Sequence, residues 1–302
     1  MRIVSLLPSA TELLSVLGLE RELVAVSHEC DTPASVVGLP HATSSRIPAG
    51  LSQRQINELV ADAVRAAEPL YKVDAGLIRS LEPDLVVTQG ICDVCAVTPE
   101  TIEASLRGTA CRLPAGTEIC SLAGTSIEGI FSDLRRLGAL TGTPGRAEDA
   151  ITQASSRLEA LRCASTSGGD PRRKLMMLEW VDPAYSPGHW VPEQIEHAGF
   201  RSAIGSPGDH SRALSWSEVR AAEPDAIGVI CCGYGLTDNL DFARDVGQRA
   251  ELASWFDGPI VAFDANRYFS RPTLAVVEGA ALLAEAFRGG AGDGEGFAQL
   301  RR

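Results

Sequence analysis

Residues 79–89 read RSLEPDLVVTQ, and residues 220–233 read RAAEPDAIGVICCG. Each stretch leaves a helix-compatible segment, passes through Glu-Pro-Asp and enters a short apolar run. Proline ends a helix by removing an N–H donor and restricting its predecessor. An unbroken run of valine, isoleucine and leucine after it predicts a strand covered on both faces, as in parallel sheets. The two halves share a further feature, since each opens on a β-rich run, RIVSLL at 2–7 in one and KLMMLEW at 174–180 in the other. A plan repeated in this way predicts two similarly built α/β lobes.

Composition bounds the function. At 302 residues the chain exceeds one typical domain, and 45% hydrophobic with 22% charged residues is ordinary for globular protein. A net charge of -12 and a pI near 4.9 argue against nucleic acid as a partner, because a phosphate backbone needs a basic face. No apolar run reaches the length of a membrane span. The start, MRIVSLLPSATE, lacks the long apolar run and cleavage region of a signal peptide, so the chain as given is expected in the cytoplasm, or in the periplasm if a leader has been trimmed. Eight cysteines are too sparse for a disulfide scaffold.

Local signals order the elements. Ser9-Ala10-Thr11-Glu12 has the S-x-x-E pattern of a capping box and predicts a helix through Leu13, Leu14, Val16 and Leu17 to Gly18. ELVAVS (22–27) and DLVVTQ (84–89) read as strands, and Thr98-Pro99-Glu100 as a helix start. A second capping box, Thr125 to Glu128, opens a helix that runs out near Gly142-Thr143-Pro144-Gly145. Ala147, Ala150, Ile151, Ala154, Leu158 and Leu161 then fall at helical spacing. The boundaries expected are an N-terminal lobe over 1–124, a helical connector over 125–165, a C-terminal lobe over 166–288 and a disordered Gly-rich tail over 289–302. A helical connector predicts a cleft with limited closure.

In open α/β sheets ligands sit outside the carboxyl ends of the strands, so the loops after the strands define the expected site. In the first half these loops carry Pro8 and Ser9, then His28, Glu29, Cys30 and Asp31, then Gln89, Cys92, Asp93 and Cys95. In the second they carry Trp180, His189, Trp190, Cys231, Cys232, Asn266 and Tyr268. Polar groups among aromatics suit a flat, partly apolar ligand. His28 and His189 are candidate donors to a transition metal, with Cys92 beside them. Trp180 and Trp190 offer faces for a macrocycle, Tyr71 and Tyr268 a rim, and Arg46 and Arg271 charge for ligand carboxylates or phosphates.

The motifs LLPSATELL, VSHECD, SRI, LYKVD, DLVVTQ-x-ICDVCAV, LEW-x-DP-x-Y-x-x-GHW-x-P and DANRYFSRP resemble the class III cobalamin and iron-complex binding proteins, the helical-backbone metal-receptor superfamily. The resemblance covers about residues 2–288. It implies two Rossmann-like lobes, each with a mainly parallel sheet, joined by a long helix, with a corrinoid or another metal chelate bound between them and no intrinsic cofactor. Exported relatives deliver such ligands to ABC transporters, and from its start as given this chain is expected to depart from them, with neither an export signal nor a lipid-anchor cysteine read near residue 1.

Alternatives stand beside that reading. Cys92-x-x-Cys95 fits a pocket wall, structural thiols, half of a zinc site with His28 and Cys30, or a redox pair. No G-x-S-x-G, H-E-x-x-H, P-loop or G-x-G-x-x-G stands in the context its chemistry requires, so binding without turnover is expected; thiol or metal chemistry in a Cys-rich cleft is the alternative. The ligand stays open between cobalamin, a precursor corrinoid, haem and a ferric chelate.

Overall fold

The structure, a computed structural model, describes residues 1–66, 68–90, 116–168, 173–288 and 293–300. The chain divides into two compact units, one of Met1–Gly124 with Glu128–Ile151, the other of Thr125–Ile127 with Thr152–Arg302.

The first unit is built on a parallel sheet of order β2-β1-β5-β6, where β1 is Ile3–Ser5, β2 Leu23–Ala25, β5 Leu85–Gln89 and β6 Glu118–Leu122. A separate antiparallel pair joins β3 (Thr43–Ser45) to β4 (Tyr71–Val73). Helices α1 (Pro8–Val16), α2 (Gln53–Ala66) and α3 (Ala75–Ser80) connect the strands. Val4, Leu6, Ala25, Ile78 and Val86 form one core, and strand β5 is buried from Leu85 to Thr88, as its continuous apolar run demands.

The capping box expected at Ser9 does not form. Helix α1 starts at Pro8 behind Leu7, whose side chain makes no cap, and Ser9 is buried inside the helix. Pro8 has no N–H to satisfy and its fixed φ already suits the first turn, so the proline sets the start in place of the serine.

Helix α4 (Ile127–Leu140) meets α5 (Pro144–Gly168) across a turn in which Gly142 has φ 70°. The Ile127 N–H, which a Thr125 cap would serve, donates to Glu193 Oε2 at 2.8 Å. Of the helically spaced residues, Ala147, Ile151, Ala154 and Leu158 are buried, and α5 continues past the expected connector end at residue 165 to Gly168.

The second unit repeats the plan with a sheet of order β10-β7-β12-β13-β14, in which β7 is Lys174–Leu178, β10 Arg201–Ser202, β12 Ala226–Val229, β13 Ile260–Phe263 and β14 Phe297–Gln299. All pairs are parallel except β13 with β14. A small antiparallel sheet, β11-β9-β8, joins Ala213–Leu214 (β11), Ala184–Tyr185 (β9) and Trp180–Val181 (β8). The helices are α6 (Val191–His197), α7 (Trp216–Ala221), α8 (Leu236–Gln248), α9 (Ala250–Ala253), α10 (Ala265–Tyr268) and α11 (Ala275–Arg288). Strands β12 and β13 are buried throughout, and Gly228 lies where a Cβ would meet Met177 Sδ, so a glycine lets the strand pack against that side chain.

The Glu-Pro-Asp repeat has the same geometry in both units. Glu82 and Glu223 end their helices with φ 44° and 49°. Asp84 then takes the Arg2 N–H on its carboxylate at 2.7 Å and gives its own N–H to the Arg2 carbonyl at 2.9 Å. Asp225 does the same to Lys174, at 2.7 and 2.9 Å. Each aspartate therefore ties the start of one central strand to the start of its neighbour.

The tail expected to be disordered from Gly289 is corrected in part. Phe297, 4% exposed, anchors β14 on the free edge of β13, and Leu300 donates to the Ile260 carbonyl at 2.9 Å. The glycines argue against order by composition, but an exposed strand edge offers paired donors and acceptors and one buried ring secures them.

Candidate ligand-binding site

In the first unit, the loop after β2 turns on a chain of buried hydroxyls. Ser27 Oγ and Thr43 Oγ1 are 2.9 Å apart, and Thr43 Oγ1 lies 2.8 Å from His28 Nδ1 and 3.2 Å from the His28 backbone nitrogen. The pairing of β3 with β4 sets Thr43 and Tyr71 on neighbouring strands, and both reach this loop. The His28 and Tyr71 rings are 5.8 Å apart, and the Tyr71 hydroxyl donates to Glu29 Oε1 at 3.3 Å. His28 Nε2 is 4.0 Å from the same Glu29 oxygen.

The His28 imidazole keeps 22% of its side-chain surface exposed. Burial pushes its pKa down, Glu29 pulls it up, and His41 pushes it down again. A neutral imidazole is the form that ligates transition metals.

Cys30 turns the other way. It is 5% exposed, and its sulfur lies 3.1 Å from Thr11 Oγ1, which donates to Ser5 Oγ at 2.8 Å. This thiol is buried in the unit behind the loop. Asp31 and Arg46 are exposed, and Gln89 is half-buried at the end of β5. Cys92, Asp93 and Cys95, with the helix start at Thr98, lie outside the described residues.

In the second unit, Glu179 organises the loop that carries His189. Its carboxylate accepts the Gly188 N–H at 2.9 Å and the Ser211 hydroxyl, and burial raises its pKa against both bonds. His189 has φ 53°, a left-handed conformation costly for a side chain. Its N–H goes to the Asp209 carbonyl at 2.6 Å and its carbonyl accepts from Gly208 at 2.9 Å, which together hold the conformation. Its ring stacks on Trp190 at 5.7 Å and meets His210 edge-on at 5.1 Å, and burial followed by His210 lowers its pKa.

Trp190, expected as a face for a macrocycle, and Tyr268, expected at a rim, are both buried. Trp190 is 5% exposed with its indole N–H on the Phe269 carbonyl at 2.9 Å, and Tyr268 is 7% exposed under the Arg267 guanidinium at 5.1 Å. Both follow apolar neighbours into the unit, and a buried indole finds its acceptor there. Trp180 stays half-buried against Tyr234 at 5.8 Å, and Tyr234 packs edge-on against Phe242 at 4.9 Å.

Cys231 is buried and Cys232 exposed. Their loop is clamped by Asn239, fully buried, whose Oδ1 accepts the Cys231 N–H at 2.7 Å while its Nδ2 donates to the carbonyls of Tyr234 and Gly235 at 3.1 Å each. Asn266 donates its N–H to the Tyr234 carbonyl at 3.1 Å, and Arg271 is half-buried. Thr43 and Asn239 were absent from the sequence candidates, because their partners come from loops distant in sequence or from backbone atoms that carry no residue signature. Among the described residues no group of three or more His, Cys, Asp or Glu is placed to hold a metal ion, and no helix is long and apolar enough to cross a membrane.

The chain is similar in fold to a periplasmic heme binding protein from Pseudomonas aeruginosa, with 19% identity, a TM-score of 0.68, and 100% of this chain and 98% of that one covered. It is similar to the periplasmic vitamin B12 binding protein BtuF of Vibrio cholerae, with 19% identity, a TM-score of 0.63 and 94% of each chain covered. It is also similar to an ABC transporter substrate-binding protein from Listeria monocytogenes EGD-e, with 17% identity, a TM-score of 0.66, and 94% and 97% covered. No curated protein matches the chain. A family model matches residues 3–254, and the chain belongs to the periplasmic binding protein family, whose members are substrate-binding proteins and not enzymes.

Proposed function

We propose that the chain binds a metal chelate of the corrinoid or haem type without changing it chemically, and that His28 meets the metal. The observation that carries the reading is the His28 imidazole, held through Nδ1 by Thr43 at 2.8 Å and flanked by Tyr71, with burial pushing its pKa down. An imidazole held through one nitrogen offers the other to cobalt or iron. The ligands named for the similar folds, heme and vitamin B12, are of this class. Delivery to an ABC transporter is the route we assign to the cargo, in keeping with the family and with the Listeria relative.

A corrinoid is our first reading. Haem is the second, favoured by Tyr71, whose phenol already donates to Glu29 and therefore has a carboxylate beside it to take its proton if phenolate meets ferric iron.

The test is titration of the purified protein with hydroxocobalamin and, separately, with hemin, followed calorimetrically and by visible spectrum. Micromolar or tighter binding of one of them, with a spectral shift lost in His28→Ala, is expected. Absence of binding by both overturns the reading.

A further inference from the structure

The hydroxyl pair behind His28 admits a count of protons. Thr43 Oγ1 has three polar neighbours: the His28 N–H at 3.2 Å, Ser27 Oγ at 2.9 Å and His28 Nδ1 at 2.8 Å. A hydroxyl has one proton and two lone pairs. One lone pair takes the backbone N–H, which can only donate. The remaining lone pair and the proton must therefore be divided between Ser27 and Nδ1, one in each direction.

Two arrangements satisfy this. In the first, Ser27 donates to Thr43, Thr43 donates to Nδ1, and the imidazole proton is on Nε2. In the second, Nδ1–H donates to Thr43, Thr43 donates to Ser27, and Nε2 carries a bare lone pair. Passing between them takes two hydroxyl rotations, with the imidazole giving one proton to water from Nε2 and taking one from water at Nδ1. The proton count on each group is unchanged.

Without ligand the first arrangement is favoured. In it Ser27 both accepts the Glu29 N–H at 3.4 Å and gives its proton to Thr43, whereas in the second arrangement its oxygen takes both bonds and its proton goes to neither, and the Glu29 carboxylate 4.0 Å from Nε2 attracts a proton there. Ser27 and Thr43 are 3% and 5% exposed, so water does not substitute for either.

We infer that Ser27 and Thr43 are positioning residues of the ligand site, a reversible hydroxyl pair that keeps Nδ1 hydrogen-bonded in both tautomers of His28 and so lets Nε2 meet a ligand either as a donor or as a metal-binding lone pair. The inference rests on the proposed contact between His28 and the ligand, but its first test does not.

Two-bond proton–nitrogen NMR correlations of the unliganded full-length protein at about pH 8, above the titration of an ordinary imidazole, read the tautomer directly. The Nε2-protonated form is expected for His28 in the wild type, Thr43→Ser and Ser27→Ala, and a mixture of tautomers in Thr43→Val. Hemin and hydroxocobalamin titrations follow. Ser27→Ala, which leaves the Thr43 proton without an acceptor only in the second arrangement, is expected to raise the dissociation constant of any probe that gives a His28-dependent spectral shift by about tenfold, as loss of an outer-sphere partner of a metal ligand does. Thr43→Val is expected to show the same loss, and Thr43→Ser, which keeps the hydroxyl, to bind as the wild type does. An unchanged tautomer in a folded Thr43→Val, or a Thr43→Ser that behaves like Thr43→Val, overturns the inference. Expected tautomers with no His28-dependent shift for either probe overturn the ligand reading and leave the positioning role standing.

Discussion

Glu179 shows how one buried carboxylate sets the shape of a loop and a dependence on pH. Its oxygens take the Gly188 N–H and the Ser211 hydroxyl, and burial raises its pKa above that of an ordinary glutamate. The folded state thus binds a proton more readily than the unfolded chain. The favourable contribution is full below the unfolded value of about 4.3 and is lost as pH rises through the folded value. Glutamine keeps an acceptor for Gly188, offers a donor to Ser211 and carries no charge. The melting temperature of Glu179→Gln should therefore match the wild type near pH 4 and exceed it increasingly toward pH 7. Glu179→Ala leaves the Gly188 N–H unpaired and should destabilise by about 1–3 kcal/mol. A Gln variant less stable than wild type at neutral pH would mean that the charge itself is stabilised in the fold. His28 and His189 have the opposite sign, since lowered values bring stability that is present above about pH 6.5 and lost on acidification.

At the scale of elements, the Glu-Pro-Asp turns convert a sequence repeat into a repeated strand junction. Asp225 grips Lys174 by a carboxylate bond at 2.7 Å and a backbone bond at 2.9 Å, and only the first depends on the side chain. Asp225→Ala should cost about 1 kcal/mol in denaturant unfolding, and Asp225→Asn clearly less because its amide oxygen accepts the same N–H. Equal losses in the two variants would show that charge, not acceptance, is what the turn requires. This junction was legible in the sequence because proline, a turn and an apolar run are local signals. The strand positions were legible for the same reason, and so was the loop that carries His28. Thr43 was not legible, since it reaches His28 only once β3 has paired with β4. Nor was the inward turn of Cys30, Trp190 and Tyr268, because sequence reports that a side chain is apolar or soft and not which side of a loop the packing gives it. At α1 two local signals competed, and the rigid φ of Pro8 overrode the Ser9 pattern.

At the scale of the whole molecule, the two units have separate cores, with Val4 and Val86 at the centre of one and Met176 and Ile227 in the other. Domains with their own cores are able to unfold in separate steps. The chain has a built-in reporter for this, because all four tryptophans, Trp180, Trp190, Trp216 and Trp255, fall in the second unit. Tryptophan fluorescence therefore follows the second unit alone, whereas far-ultraviolet circular dichroism follows the helices and strands of both. Phe297 sits in the second unit at 4% exposure, where it seats β14 on β13 and lies 5.9 Å from the Phe263 ring. Phe297→Ala removes that ring, leaves a cavity and frees the β13 edge, with an expected cost of about 3–5 kcal/mol. The loss should appear as an earlier fluorescence transition, with the dichroism splitting into an early phase that moves with it and a later phase that stays at the wild-type midpoint. A dichroism curve that shifts as a single transition together with the fluorescence would show that the units unfold as one cooperative body, and that the last strand stabilises the whole chain.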